Sequence, residues 1–175
     1  STQSATLALT VTRENDAPGL SATGLGVTYL EQAAAAAFVS GTILVSDPDA
    51  PANFFAGGAG SLTVALDGYQ SGDTLSVAHQ GTAAGEIGIS GTTISYGNVA
   101  FATVNGGSAA PLVITFTSST ATPTALQALL GRLRFANAIN NDPTVDNGDP
   151  SRVFTVTLND GGNTKDSGST TLTAS

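Results

Sequence analysis

Residues 152–158 read Arg-Val-Phe-Thr-Val-Thr-Leu, an alternation that sets Phe154, Val156 and Leu158 on one side of an extended chain and Val153, Thr155 and Thr157 on the other. A period of two is what a strand with one buried face requires, and a helix cannot gather such residues on one side. Thr6–Val11, Leu62–Leu66 and Leu112–Phe116 repeat the pattern. Turn formers separate these runs: Asp67-Gly68, Ser71-Gly72-Asp73, Ser90-Gly91, Tyr96-Gly97-Asn98, Asn105-Gly106-Gly107 and Asp160-Gly161-Gly162-Asn163. Glycine and asparagine accept the left-handed backbone of tight turns, so an antiparallel all-β domain is expected. Asp67 and Asp73 are expected only to flank turns.

One segment departs from the period. Thr122 offers an N-cap, Pro123 a first helical residue, and Leu126, Leu129 and Leu130 recur at helical spacing before Gly131. This predicts one short helix over 123–130, feeding a strand at Leu133–Ala136. The run Ala33–Ala37 has helical propensity, but Val27–Leu30 and Val39–Val45 on either side read as strands. An extended or bulged edge is the expectation there.

Charge and composition exclude several functions. Five Lys and Arg against 13 Asp and Glu leave a net charge of −8, the wrong sign for a phosphate backbone or an anionic membrane. There is no tryptophan to stack on bases, and nucleic acid is excluded as a partner. Without cysteine there is no disulfide, thiolate zinc site or cysteine nucleophile. The apolar stretch Ala33–Val45 is broken by Ser40, Gly41 and Thr42 and falls short of the roughly 20 residues that span a bilayer, so no membrane insertion is expected. Ser1–Thr12 shows no signal-peptide pattern. His79 is the only histidine and no G-x-S-x-G motif accompanies it, so no enzyme is expected. Lys165, the only lysine, sits in a turn, and Asp149-Pro150 is followed by Ser151 rather than the histidine of self-cleaving modules.

Charged residues are only 10% of the chain, against roughly 25% in ordinary domains. Sparse, clustered carboxylates suit a hard cation such as calcium, which takes 6–8 oxygen ligands. A second signal is a repeat. The tail Ser169-Thr170-Thr171-Leu172-Thr173-Ala174 matches the head Ser4-Ala5-Thr6-Leu7-Ala8-Leu9 one domain length away (about 165 residues), well beyond the 20–50-residue period of solenoids. Residues 1–12 therefore read as the last strand of a preceding repeat, 13–18 as a linker, and 19–175 as one module.

The linker is Arg13-Glu14-Asn15-Asp16-Ala17-Pro18. Asn-Asp-Ala-Pro after a terminal strand resembles the junction of cadherin-like repeats, and more narrowly the tandem modules of large bacterial surface adhesins of the RTX type. Val27-Thr28-Tyr29-Leu30-Glu31 is similar to that family's first strand, and Val45-Ser46-Asp47-Pro48-Asp49 to its Asp-x-Asp loop. The segment Ala125–Asn137 resembles its helix-then-strand unit, and Val156-Thr157-Leu158-Asn159-Asp160-Gly161 its last hairpin. The resemblance implies a Greek-key β-sandwich, cadherin- or Ig-like, that binds Ca2+ at the junction and acts as an extender.

On that resemblance the candidate ligands are Asn15, Asp16, Asp47 and Asp49, with Glu31 and Asp160 at a second position or in the site completed by the next module. Arg13 departs from the family, standing where cadherin junctions carry a carboxylate. The same residues are also ordinary turn formers. The implied partners are neighbouring repeats of the same polypeptide, and the implied location is secreted, at the bacterial cell surface. The alternative is a glycan- or protein-binding module using loops around 53–60 and 69, with Phe54, Phe55 and Tyr69 as its patch; the plainer reading makes both phenylalanines core, since large exposed apolar patches are uncommon. A second acidic group, Asn140–Asp142 with Asp146–Asp149, does not match the EF-hand spacing and reads as a solvated loop.

Overall fold

A computed structural model describes residues 3–11, 15–26, 29–30, 33–37, 39–49, 53–55, 58–137, 152–161 and 169–174, the last segment by its backbone. Its strands are β1 Gly19–Ala22, β2 Ala36–Ala37, β3 Ile43–Ser46, β4 Ser61–Leu66, β5 Asp73–Val77, β6 Ile87–Ser90, β7 Thr93–Tyr96, β8 Val99–Gly106, β9 Leu112–Phe116, β10 Leu133–Asn137, β11 Phe154–Asn159 and β12 Ser169–Ala174. One helix, α1, spans Pro123–Leu130. Among the described residues the fold is therefore antiparallel β with a single helix, as the alternation and turns required. One sheet runs β12-β11-β4-β9-β8-β7-β6, a second β2-β10-β5, and β1 pairs β3.

Burial follows the pattern of two. Leu62, Val64 and Leu66 of β4, Leu112, Ile114 and Phe116 of β9, and Phe154, Val156 and Leu158 of β11 all face inward. Across from them, Phe135 of β10 meets Phe154 edge-on at 5.7 Å between ring centres. That contact joins the three-stranded sheet to the seven-stranded one. At the β7–β8 hairpin, Gly97 and Asn98 adopt φ of 56° and 67°, the paired left-handed conformation of a tight two-residue turn.

Helix α1 has the expected bounds. Thr122 lies in the extended region (φ −84°, ψ 162°), and its hydroxyl accepts the Ala125 N–H at 3.4 Å. Ala125, Leu126, Leu129 and Leu130 are buried, while Gln127 Nε2 donates to the Val45 carbonyl at 3.4 Å and ties the helix to β3. The helix stops because the chain tightens, with Arg132 N–H donating to the Leu129 carbonyl at 2.9 Å. Gly131 itself is right-handed (φ −66°), so its termination does not depend on glycine's freedom.

Three local expectations change. The strand expected over Val39–Val45 begins only at Ile43; Val39 makes an isolated bridge to Leu25, and Gly41 abuts the Thr23 carbonyl. Tyr29 and Leu30 are not in a strand. Instead the Tyr29 hydroxyl bonds the Ala33 and Asn137 carbonyls and accepts the Asn137 N–H, with its ring edge-on to Phe135 at 5.1 Å. Thr6–Val11 pairs with no strand among the described residues, and its Leu7, Leu9 and Val11 are exposed. The Ala33–Ala37 run is extended at its end, where β2 forms an edge on β10.

Asp73 does more than flank a turn. It is buried at the start of β5, opposite Asn137 in register. Its carboxylate accepts the Gln70 N–H at 2.9 Å, Asn137 Nδ2 at 2.9 Å and Arg152 Nε at 3.1 Å. One carboxylate thus joins the end of β10, the start of β5 and the approach to β11. Removing one partner of a buried ion pair leaves the other charge uncompensated. Asp73→Ala is expected to cost about 3–5 kcal/mol, read as a large fall in the urea midpoint.

Candidate functional site

Register fixes where the candidate ligands lie. Gly19 pairs with Ser46, so the linker before β1 and the Asp47–Asp49 loop after β3 stand side by side. Asn159 pairs with Ser61 and with Ser169, which puts Asp160 at the starts of β4 and β12. The linker, the Asp-x-Asp loop and the end of β11 meet at one pole of the molecule.

Hydrogen bonds close this pole. Asn15 Nδ2 donates to Asp160 Oδ2 at 3.0 Å, across 145 residues of sequence. The Asp16 N–H donates to Asp49 Oδ2 at 2.8 Å, and the Asp49 N–H to Asp47 Oδ1 at 2.9 Å. Pro18 is buried, and Asp160 is only 1% exposed. Asp16 lies outermost, while Asn15, Asp47 and Asp49 are half-buried. In the Asp-Pro-Asp loop the second backbone N–H folds back on the first carboxylate, an Asx-type turn that aspartate favours.

The electrostatics follow from the crowding. Burial pushes the Asp47 carboxyl above its ordinary value of 3.8; the Asp49 and Asp160 carboxylates add to this, while the Asp49 and Asn53 N–H groups oppose it. Asp49 and Asp160 are thus close enough for their charges to act on Asp47. Among the described residues, however, no three acidic or imidazole groups are drawn tightly enough to chelate an ion as they stand. Both observations hold together, because repulsion acts over a longer range than coordination. In this arrangement the carboxylates are held by amide and backbone donors.

Five of the six candidate ligands therefore share one pole: Asn15, Asp16, Asp47, Asp49 and Asp160. Glu31 lies outside the described residues, as do the 140–149 acidic group, Lys165 and Asp149-Pro150. Reading by motif missed Asn53, whose N–H reaches Asp47 and whose Oδ1 accepts the Phe55 N–H at 3.1 Å. Its signal was a third Asx residue soon after the Asp-x-Asp pair.

The aromatic patch does not form. Phe54 is fully buried against Phe116, with ring centres 6.2 Å apart. Gly60 lets this happen, since a Cβ there would run into the Phe54 carbonyl. Phe55 and Tyr69 also pack on the core, and the Tyr69 hydroxyl accepts the Leu66 N–H at 3.2 Å. His79 lies beyond β5 with Nδ1 accepting the Ile89 N–H at 3.0 Å, a structural bond in a hairpin.

No protein-family model, curated protein or solved structure matches the chain.

A raised carboxyl favours the protonated folded state. Its contribution to stability is full below pH 3.8 and is lost as pH rises through the raised value. In calcium-free buffer at pH 7, Asp47→Asn is therefore expected to raise the melting midpoint, since the amide oxygen can still accept the Asp49 N–H. The gain should vanish as pH falls below 3.8, and paired thermal melts across pH check both points.

Proposed function

We propose that this chain is a non-catalytic extender module of a large bacterial surface adhesin, a cadherin-like Greek-key sandwich stiffened by Ca2+ at its junction with the neighbouring repeat. The observation that carries this reading is the bonding of linker residues Asn15 and Asp16 to Asp160 and Asp49, at a pole where the Asp49 and Asp160 charges act on Asp47. Hard oxygen donors from the linker, the Asp-x-Asp loop and the end of β11 suit calcium's preference for carboxylate and carbonyl ligands. Asp47, Asp49 and Asp160 would hold the ion with Asn15, and bound charge would relieve their repulsion. Neutral hydrogen-bond donors do so only in part.

The path of the chain supports the same reading. The linker arrives at the carboxylate pole, and β12 runs from that pole to Ala174 beside Phe154 at the opposite one. Modules joined this way line up end to end. A cation that fastens the linker to the module would restrict bending between neighbours. Extracellular modules bind calcium at about 10⁻⁴–10⁻³ M, so such an array would be stiff in a calcium-rich medium. Secretion to the cell surface and partnership with repeats of the same polypeptide belong to this proposal.

Melting in calcium and in EDTA tests it. At free calcium a hundredfold above the dissociation constant, stabilisation is about 2.7 kcal/mol per site. In a chain of this size that amounts to a rise in midpoint of roughly 5–11 °C. Asp49→Ala and Asp160→Ala should each remove the rise. A midpoint that EDTA leaves untouched would overturn the proposal.

A further inference from the structure

Residues 3–11 are exposed throughout, and Leu7, Leu9 and Val11 are 93%, 84% and 81% exposed. They alternate with Ala8 and Thr10, so an extended arm carries three large apolar groups along one side. Such an arm offers both a hydrophobic face and unpaired backbone groups, the two features used when a strand adds to another sheet. What could receive it is set by the repeat between the head and β12.

β12 is the edge of the seven-stranded sheet, and it pairs β11 with Thr170 opposite Leu158, Leu172 opposite Val156 and Ala174 opposite Phe154. Carried over position by position, the head sets Ala5 opposite Leu158, Leu7 opposite Val156 and Leu9 opposite Phe154. These are the three inward-facing residues of β11. The phase matches: Leu7 and Leu9, the large apolar residues of the matched segment, fall on the buried side with Ala5, and Ser4, Thr6 and Ala8 fall on the outer side with Asn159, Thr157 and Thr155. At two of the three positions paired with the inward-facing residues of β11, the arm's sequence is more apolar than that of β12, with Leu9 for Ala174 and Ala5 for Thr170. A slip of one residue would turn all three outward, so the register is strongly specified.

We propose that the arm of one copy occupies the β12 place on β11 of a second copy, antiparallel and in the β12 register. The occupant of this sheet edge is thus a second copy of the same chain. Its own β12 is the competitor, held at high effective concentration by its short connection, so exchange grows with protein concentration. Each copy carries one donor arm and one acceptor edge that are different surfaces. The contact is heterologous: it generates open head-to-tail oligomers where the rotation does not close and rings where it does. The inference shares the repeat with the proposed array but does not need its calcium.

The absence of cysteine makes the register directly readable. In the full chain carrying Thr6→Cys and Thr157→Cys, the two thiols face each other across the proposed pair. Mild oxidation of concentrated protein is expected to give a ladder of covalent dimers and higher species on non-reducing gels, in calcium and in EDTA alike. Adding Leu7→Asp and Leu9→Asp should reduce the ladder to background without lowering the melting midpoint, because the arm makes no described contact that supports the monomer. Thr157→Cys with Thr171→Cys serves as the control and should close within one chain. If that control closes while the Thr6–Thr157 variant stays reduced, or if the latter closes only within a single chain, the proposal is overturned. A ladder that persists unchanged with both aspartates present would also overturn it. Failure of calcium to shift the melt, with the ladder intact, would sink the extender reading alone.

Discussion

Strand β11 is the constraint on which the rest of the structure depends. Phe154, Val156 and Leu158 must leave water together, and only one register of an extended chain achieves this between β4 and β12. That register fixes both ends of the strand. Just before it, Arg152 arrives at the buried Asp73 carboxylate; just after it, Asp160 arrives beneath Asn15 of the linker. Hydrophobic burial along six residues thereby positions two polar clusters at opposite poles. Phe135 against Phe154 then commits the second sheet to the same core.

The two poles solve opposite problems. At one, Asp73 is satisfied by a guanidinium, an amide and a backbone N–H, a closed arrangement with charge balanced. At the other, Asp47, Asp49 and Asp160 gather with neutral donors, and Asp47 responds by holding its proton more tightly. Carboxylates crowded without full compensation cost stability, and proteins commonly accept that cost where a ligand supplies the missing charge. Calcium is the proposed ligand because every side chain gathered there offers oxygen.

Much of this is legible in the amino-acid sequence. The alternation in 152–158 named the inward face of β11, and Thr122-Pro123 with the leucine spacing bounded the helix. The linker and the Asp-x-Asp loop were legible as a pair only through their resemblance to cadherin-like junctions, since Asp, Asn and Pro alone are ordinary turn formers. What eluded the sequence was long-range chemistry. Asp73 looked like a turn residue because its partners, Asn137 and Arg152, are 64 and 79 residues away. Tyr29 looked like a strand residue because β-propensity cannot foresee a hydroxyl clamped on Asn137. Phe54 was ambiguous between core and surface, and the decision lay with Gly60, whose missing side chain makes room for the Phe54 backbone.

The route of the backbone also has a mechanical consequence. Tension applied at Asn15 and Ala174 draws β1 and β12 along their own axes in opposite directions. Antiparallel hydrogen bonds lie across the strands, so this load shears them together instead of unzipping them one at a time. β12 shares six register pairs with β11, whereas β1 shares four with β3. The shorter pair is the natural point of yield. The bonds from Asn15 to Asp160 and from Asp16 to Asp49 stand ahead of it in the load path, so they bear traction before β1 does and shield the weakest seam.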